Sequence, residues 1–170
     1  MQTKKQNKLR SYRNKMVETR QSSLDFFTGV EFRYEQVGLL NGCMVINDSR
    51  STDLEGTLDS LTVTNTPVHL IMGDADVQQL MQHLASEIKL KVVTLGVYGA
   101  TDFTKRFEVS NLVDRTVYSK KLDDVFLQMV NWLKPGETLL FSPGAVSNKF
   151  DDFIVSGTYF NSLVGPYINR

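Results

Sequence analysis

The residues of this chain with the clearest capacity for ligand chemistry follow directly after an apolar strand. Val45 and Ile46 are β-branched strand formers, and residues 47–53 then read Asn-Asp-Ser-Arg-Ser-Thr-Asp. The guanidinium of Arg50 can bind a carboxylate through two parallel hydrogen bonds, and the N-terminus of a following helix would add N–H donors and positive potential. The segment therefore predicts a site for an anionic group of a ligand.

The same segment also predicts where a helix begins. Thr52 and Glu55 have the spacing of a capping box, in which the hydroxyl accepts from a backbone N–H and the carboxylate reaches back to the cap. We therefore expect a helix from Asp53 onward. Its buried stripe would consist of leucines at helical spacing: Leu54, Leu58 and Leu61.

The length and composition are typical of one soluble globular domain. The chain has 170 residues, of which 41% are apolar and 22% are charged. Its single cysteine, Cys43, excludes an intramolecular disulfide and fits a reducing compartment. No apolar run is long enough for a membrane span, and the N-terminus lacks the apolar core of a signal peptide. We therefore expect a cytoplasmic protein.

The formal net charge of zero conceals an uneven distribution. Residues 1–20 contain seven Lys or Arg and one acidic residue, Glu18, so the other 150 residues carry an excess of acids. Such a basic arm could bind nucleic acid, although a solvated helix lying on the domain is the commoner meaning of such a run. We expect a basic arm or helix over residues 1–20 and one α/β domain over residues 21–170.

The order of the predicted elements indicates a mainly parallel sheet with helices on both faces. Asn41-Gly42 predicts a hairpin between strands at 32–39 and 43–48. Amphipathic helices then alternate with further apolar strands, predicted at 68–72, 90–95, 113–118 and 138–141. Ligands bind beyond the carboxyl ends of such strands, so we expect residues 48–52 and 142–147 to share one rim.

Several boundaries within this pattern are also predicted. Gly73 and Gly96 should end their strands, and Asp74 could cap the helix that follows. A short helix is expected over residues 101–107. The last helix should start after Ser147 and direct five apolar side chains inward: Phe150, Phe153, Ile154, Phe160 and Leu163.

The sequence lacks several motifs of self-sufficient catalysis. It has no Gly-x-x-x-x-Gly-Lys-Ser/Thr loop for the phosphates of ATP and no Gly-x-Ser-x-Gly nucleophile elbow. His69 and His83 have no Cys or carboxylate partner at ligand spacing, so no metal site is expected. By residue chemistry alone, the chain is a binding domain and not a complete enzyme.

Three segments in register resemble the Mur ligases, in the branch that adds D-glutamate. Residues 47–53 are similar to the family motif Asn-Asp-Ser-Lys-Ala-Thr-Asn, and residues 32–35 are similar to the His-Arg-Phe-Glu that precedes it. The third segment, residues 134–157, contains Pro-Gly-Glu, Leu-Phe-Ser-Pro and then four separate matches: Ser147, Phe150, Phe153 and Gly157. The resemblance covers about residues 19 to 165.

What the resemblance implies is one part of a larger enzyme. The family uses three domains to join an amino acid to a nucleotide-linked carboxylate through an acyl phosphate made with ATP. This chain would correspond to the third domain, which is Rossmann-like and closes over ATP. ATP and magnesium would then belong to the full ligase, and the partner of this chain would be its central ATPase domain or subunit.

The resemblance also implies roles for six residues. Four would bind the incoming amino acid, D-glutamate or a similar one: Arg50, Thr52, Ser147 and Phe153. Two would face the nucleotide: Arg33 and Asp48. No catalytic residue and no metal ligand is implied within this chain.

Other interpretations of the same residues stay open. Arg50 could pair with Asp48 or Asp53, which would leave Thr52 as a helix cap only. Arg50 also stands where the family has Lys, Asp53 where it has Asn, and Ser156 where it has Arg. Since a guanidinium and an ammonium bind differently, the amino acid recognised can differ from D-glutamate.

The remaining candidates have structural alternatives as well. Arg33 could form a cross-strand salt bridge, Ser147 could be a plain N-cap, and Phe150 and Phe153 could be core residues. For the whole chain, two functions compete with a part of a ligase. One is a stand-alone, non-catalytic binding module with the same fold, and the other is nucleic-acid binding through residues 1–20.

Overall fold

A computed structural model of the chain describes residues 30–86, 91–99, 113–144, 150 and 152–168. The described residues form a six-stranded sheet in the order β1-β2-β6-β3-β4-β5. In chain order, the strands are β1 (Glu35–Leu40), β2 (Cys43–Asn47), β3 (Val68–Gly73), β4 (Val92–Tyr98), β5 (Arg115–Ser119) and β6 (Thr138–Phe141). The predicted α/β class is confirmed.

Four α-helices lie within the described residues. They are α1 (Leu54–Val63), α2 (Val77–Ser86), α3 (Leu122–Met129) and α4 (Phe153–Val164), and short 3₁₀ turns continue α3 and α4. No helix in the described part of the chain is long and apolar enough to cross a membrane. The predicted arm over residues 1–20 and the predicted helix over 101–107 lie outside the described residues.

The predicted hairpin is confirmed, with a shorter first strand. Asn41 and Gly42 form its two-residue turn with φ of 53° and 78°, the positive values that Asn-Gly tolerates. The first strand begins at Glu35 and not at residue 32, because Phe32 and Tyr34 have φ of 64° and 47° and turn the chain before it can pair.

The edge strand β1 is irregular near its middle. Its register with β2 shifts between Gln36 and Gly38, and Gly38 has a φ of +151°. A Cβ at Gly38 would collide with the side chain of Ile168, which follows the last 3₁₀ turn. The C-terminal segment therefore lies against the bulged part of β1.

The other neighbouring pairs of strands are parallel. Asn47 of β2 pairs with Phe141 of β6, and Phe141 pairs with Ile71 of β3. Two backbone hydrogen bonds continue this pattern beyond the strands. The N–H of Asp48 donates to the carbonyl of Phe141 at 2.8 Å, and the N–H of Ser142 donates to the carbonyl of Ile71 at 3.0 Å. The described residues after β2 and β6 thus lie on one rim, as predicted.

Both faces of the sheet are covered. One apolar cluster joins the sheet to α3 and α4 through Phe126, Phe141 and Phe160, all with no exposed surface. The other cluster joins the opposite face to α1 and α2 through Leu61 and Leu80. The continuous apolar strands of the sequence reflect this double burial, since every β3 residue is buried.

Gly96 lies within β4, which continues to Tyr98, so the predicted strand end at Gly96 is wrong. A Cβ at Gly96 would collide with Met129 and Val125 of α3. The glycine is therefore a point of close contact between sheet and helix and not a turn.

The predicted helix starts need correction. The N-cap of α1 is Asp53, whose carboxylate accepts from Gly56 N at 2.7 Å, so Thr52 is not the cap. The last helix begins at Phe153 with Asp152 as its cap, later than predicted. Its residue Ile154, predicted to point inward, is 51% exposed. The helix after β3 begins at Val77, so Asp74 lies too far upstream to cap it.

His69 has the carboxylate partner that local spacing did not reveal. Its Nε2 lies 2.6 Å from Glu137 Oε2, and its Nδ1 lies 2.7 Å from Thr94 Oγ1. Glu137 stands in the turn before β6, at the opposite end of the strands from the rim, and it also accepts from Lys134 N. This buried group holds the turn against the sheet.

Candidate functional site

A shallow pocket lies on the rim where β2, β6 and α4 meet. It contains about 230 Å³ of space, part of it open to solvent. Thr52 lines the pocket after β2, Gly144 lines it after β6, and Phe153 lines it at the start of α4. The other lining residues are Ser49, Tyr98, Pro143, Phe150, Asp152 and Ser156.

Arg50 stands at the edge of this pocket. The residue is exposed, and its guanidinium carbon lies 4.9 Å from the centroid of the Phe153 ring, an arrangement typical of a cation–π contact. Its backbone N–H donates to the carbonyl of Phe32 at 2.9 Å, which fixes the loop that carries it. The exposed guanidinium thus brings its N–H donors to the edge of the pocket.

Thr52 and Phe153 both line the pocket, and they come from the loop after β2 and from the start of α4. Because Asp53 caps α1, the hydroxyl of the exposed Thr52 is not used in the cap and can reach a ligand. Phe153 is half-buried and forms a wall, so it is neither a core residue nor a free surface residue. Ser147, the fourth residue expected at the amino-acid site, lies outside the described residues.

Asp48 is enclosed beneath the rim and does not face an open surface. Only 1% of it is exposed, and its Oδ2 accepts from Ser51 Oγ and Ser60 Oγ, both at 2.6 Å. Its Oδ1 accepts from the N–H of Tyr34 at 3.0 Å. Asp48 therefore ties the loop before β1, the loop after β2 and helix α1 together.

Burial is the main influence on the pKa of Asp48. It raises the pKa of the Asp48 carboxyl above its ordinary value, while the hydrogen bonds from Ser51, Ser60 and Tyr34 and the positive charge of Arg33 oppose that rise. Arg33 is half-buried and acts on the same carboxylate electrostatically. The two residues expected to face a nucleotide thus belong to one electrostatic unit.

Polar side chains continue this unit toward β6. Ser142 Oγ lies 3.3 Å from Asp48 Oδ2 and 2.8 Å from Thr57 Oγ1. Ser142, Thr57, Ser51 and Ser60 are all at most 4% exposed. The buried face of α1 is thus partly polar because it packs on a carboxylate, which is why its leucine stripe is only partly buried.

Sequence comparison with curated proteins gives one consistent result. A UDP-N-acetylmuramoylalanine–D-glutamate ligase of Oenococcus oeni is 32% identical over 143 residues, which are 83% of this chain and 32% of that protein. The protein of that name from Chlorobium phaeobacteroides strain BS1 is 34% identical over 139 residues, 81% of this chain and 30% of its own length. A third protein of that name, from a Hydrogenobaculum species, is 28% identical over 149 residues, which are 86% of this chain and 36% of that protein.

The chain is homologous to Mur ligases over more than four fifths of its length. It spans about a third of the length of the curated relatives that it matches. No protein-family model matches it. The family resemblance seen in residues 47–53 therefore extends over most of the chain, and it includes the loop that carries Arg50 and Thr52.

Two residues of this Mur ligase homologue have site roles that sequence reasoning missed. Asn47 is fully buried, and its Nδ2 donates to Gly157 O at 3.0 Å and to Asn161 Oδ1 at 2.8 Å, which fixes α4 against the end of β2. Its Oδ1 accepts from Ser49 N at 3.1 Å and shapes the pocket loop. The signal was present, because an amide that ends a buried apolar strand needs partners.

Ser49 is the second missed residue. It is fully buried and lines the pocket, and its Oγ has no hydrogen-bond partner among the residues that the structure describes. Its position depends on Gly157, since a Cβ there would collide with Ser49 Oγ and with the Phe32 ring. A buried hydroxyl without a partner is unfavourable, so a polar group entering the pocket would find an unused donor and acceptor.

Proposed function

We propose that this chain is the amino-acid-binding domain of an ATP-dependent ligase of the D-glutamate-adding type, which acts on a peptidoglycan precursor. The chain would be inactive alone. Its homology to D-glutamate ligases over more than four fifths of its length supports the ligase class. The amino acid bound would be D-glutamate or a similar one.

The convergence of three residues on one pocket carries this proposal. Arg50, Thr52 and Phe153 received amino-acid-binding roles from the family resemblance, and all three line or border the same pocket. Arg50 would bind a carboxylate, Thr52 would donate a hydrogen bond to it, and Phe153 would form the apolar wall. Ser147 is proposed as a further contact.

ATP and magnesium are assigned to the rest of the ligase. Among the described residues, no three His, Cys, Asp or Glu side chains lie together in a way that could hold a metal ion. The carboxylate of Asp48, expected to face the nucleotide, is already surrounded by protein donors.

Reconstitution in trans tests the proposal. The purified chain would be mixed with the ATP-binding and UDP-binding domains of a D-glutamate ligase, and release of ADP would be followed with D-glutamate and with other amino acids. We expect no turnover from the chain alone and amino-acid-dependent turnover from the mixture. Turnover by residues 1–170 alone, or none in the mixture, would contradict the proposal.

A second candidate is a stand-alone, non-catalytic module that uses the same pocket. The observation that favours it is the change at three motif positions, where Arg50, Asp53 and Ser156 replace the family's Lys, Asn and Arg. The same mixture discriminates between the two functions, because only a working ligase domain restores ADP release. A module would still bind its ligand when tested alone.

A further inference from the structure

A pair of side-chain amides joins the end of β2 to helix α4. Asn47 is the last residue of β2, and its Nδ2 donates at 2.8 Å to Oδ1 of Asn161, which lies in the second half of α4. The same Nδ2 donates at 3.0 Å to the carbonyl of Gly157, one turn earlier in the helix. The partners are 114 and 110 positions apart in the sequence, so these contacts exist only in the folded chain.

The contacts of the Asn47 side chain fit one orientation of its amide. A primary amide has two N–H donors on its nitrogen and an acceptor on its oxygen. On the side of α4, Gly157 O and Asn161 Oδ1 both accept, and on the side of the loop the N–H of Ser49 donates at 3.1 Å. Turning the amide over would place its oxygen against the Gly157 carbonyl and its nitrogen against a donor. The acceptors on α4 therefore determine which end of the amide faces Ser49.

The oxygen of the Asn47 amide in turn fixes the loop that carries the pocket residues. Its hydrogen bond from Ser49 N spans two residues and imitates a backbone turn, which is a common way for Asn to shape a loop. Ser49 lines the pocket, and Arg50 follows it directly in the sequence. The conformation of both residues therefore depends on the orientation of the Asn47 amide.

Asn161 can act on the pocket without touching a ligand. It is half-buried and does not line the pocket. Asn47 is fully buried, so an N–H of its amide that lost the Asn161 acceptor could not bond to water instead. Loss of this acceptor would remove one of the two contacts that hold the amide, and the acceptor for Ser49 N would no longer be fixed.

We propose that Asn161 is a positioning residue for amino-acid binding. Through the amide of Asn47, it holds the loop in the conformation that presents the Ser49 hydroxyl and the Arg50 guanidinium to the pocket. This inference rests on the proposed function as an amino-acid-binding domain. It goes beyond that function by assigning a role in binding to a residue of α4 that lies outside the pocket.

Two substitutions of Asn161 test this role. Asn161→Ala removes the acceptor, whereas Asn161→Asp keeps an oxygen that can accept from the Asn47 amide. An amide NMR titration of the full chain with D-glutamate measures the affinity, with L-glutamate and D-aspartate as alternatives, because binding in the millimolar range remains visible to it. We expect Asn161→Ala to weaken binding about tenfold and Asn161→Asp to stay within about threefold of the parent chain.

The amide signal of Ser49 gives a second readout that needs no ligand. Its proton is hydrogen-bonded to Asn47 Oδ1, so Asn161→Ala should move the signal upfield and speed its hydrogen exchange, and Asn161→Asp should change neither. The matched control is Leu163→Ala, which removes apolar contacts between α4 and the core but no hydrogen-bond partner of Asn47. It should lower the stability of the chain and leave the Ser49 signal and the affinity unchanged.

Each contrary outcome has a distinct meaning. Binding by Asn161→Ala as tight as that of the parent chain would overturn the positioning role and leave the proposed function intact. Equal losses of affinity in Asn161→Ala and Leu163→Ala, or in Asn161→Ala and Asn161→Asp, would also overturn that role alone. If the parent chain bound none of the three amino acids well above millimolar concentration, the proposed function and the positioning role would be overturned together.

Discussion

The guanidinium of Arg50 lies over the ring of Phe153, with 4.9 Å between its carbon and the ring centroid. The two residues come from the loop after β2 and from the first turn of α4, so the contact joins two sides of the pocket. It holds a positive charge at the pocket edge, and no acidic side chain within the described part of the chain forms a salt bridge with it. That is the arrangement expected of a residue that binds an incoming carboxylate.

Replacing Arg50 should separate binding from stability. We expect Arg50→Ala to weaken amino-acid binding about tenfold or more, because a charge-assisted hydrogen bond is lost. The free energy of unfolding should change by less than about 0.5 kcal/mol, because the side chain is exposed. NMR titration and urea unfolding measure the two quantities.

Arg115 offers a matched control for this substitution. It also lies over an aromatic ring, 5.4 Å from that of Trp132, but it stands on the edge strand β5. Arg115→Ala should leave amino-acid binding unchanged. If both substitutions weakened binding equally, Arg50 would have no specific role in the pocket.

Asp48 should make stability depend on pH in a defined direction. Its pKa is raised in the folded chain, so the folded state favours the protonated acid, and stability falls as pH rises from about 4 toward the raised value. Asp48→Asn cannot ionise and can still hydrogen-bond the surrounding hydroxyls. Relative to the parent chain, the variant should therefore gain stability as pH increases.

Urea unfolding at several pH values between about 4 and 8 measures this difference. The gain of the variant should grow through the lower part of that range and level off above the raised pKa. A difference that grows as the pH falls would mean that the hydrogen bonds from Ser51, Ser60 and Tyr34 outweigh the cost of burying the charge.

Gly157 should tolerate no side chain. A Cβ at this position would collide with Ser49 Oγ and the Phe32 ring, so Gly157→Ala should destabilise the chain by about 1–3 kcal/mol. Gly165, which follows the same helix with φ of −49°, has no atom within 4 Å of a built Cβ. Gly165→Ala should be neutral or slightly stabilising, and thermal or urea unfolding compares the two variants.

Cys43 should be nearly unreactive in the folded chain. It is fully buried, and burial is the largest cause that raises the pKa of its thiol to about 12. Because the thiolate is the reactive form, a disulfide reagent at neutral pH should modify the folded chain roughly a thousandfold more slowly than the urea-unfolded chain. Comparable rates in both states would show that the strand opens frequently.

The parts of the fold that the sequence predicted well depend on local chemistry. Asn41-Gly42 favours a two-residue turn between the two strands that flank it. The strand at 138–141 is followed closely by Pro143, which has no N–H to continue the hydrogen bonding of the sheet. The shared rim followed from these strands, because the carboxyl ends of parallel strands meet at one edge of the sheet.

The wrong predictions of helix and strand ends arose where the local sequence allows two structures equally well. Thr52 and Asp53 are both strong N-caps, and tertiary structure selects Asp53 while Thr52 lines the pocket. Gly96 looked like a strand end, yet its missing side chain is what allows α3 to approach β4. Neither choice can be read from spacing, since each depends on an element distant in sequence.

The geometry of the candidate site could be predicted only in part, because some of its contacts also join elements that are distant in sequence. The loop that carries Arg50 and Thr52 was recognisable because its residues are contiguous. The enclosure of Asp48 was not, because its donors Ser51, Ser60 and Ser142 meet only after α1 and β6 pack on β2. The His69–Glu137 contact likewise joins two residues that are distant in sequence, one near the start of β3 and one in the turn before β6.

The bulge in β1 has a consequence for self-association. A regular, uncovered edge strand offers free N–H and C=O groups to a second copy of the chain, and edges of this kind promote aggregation. Here the register shift at Gly38 bends that edge, and Ile168 lies against it. Within the described part of the chain, Ile168 therefore covers part of the β1 edge and makes the pairing of a second copy along that strand less favourable.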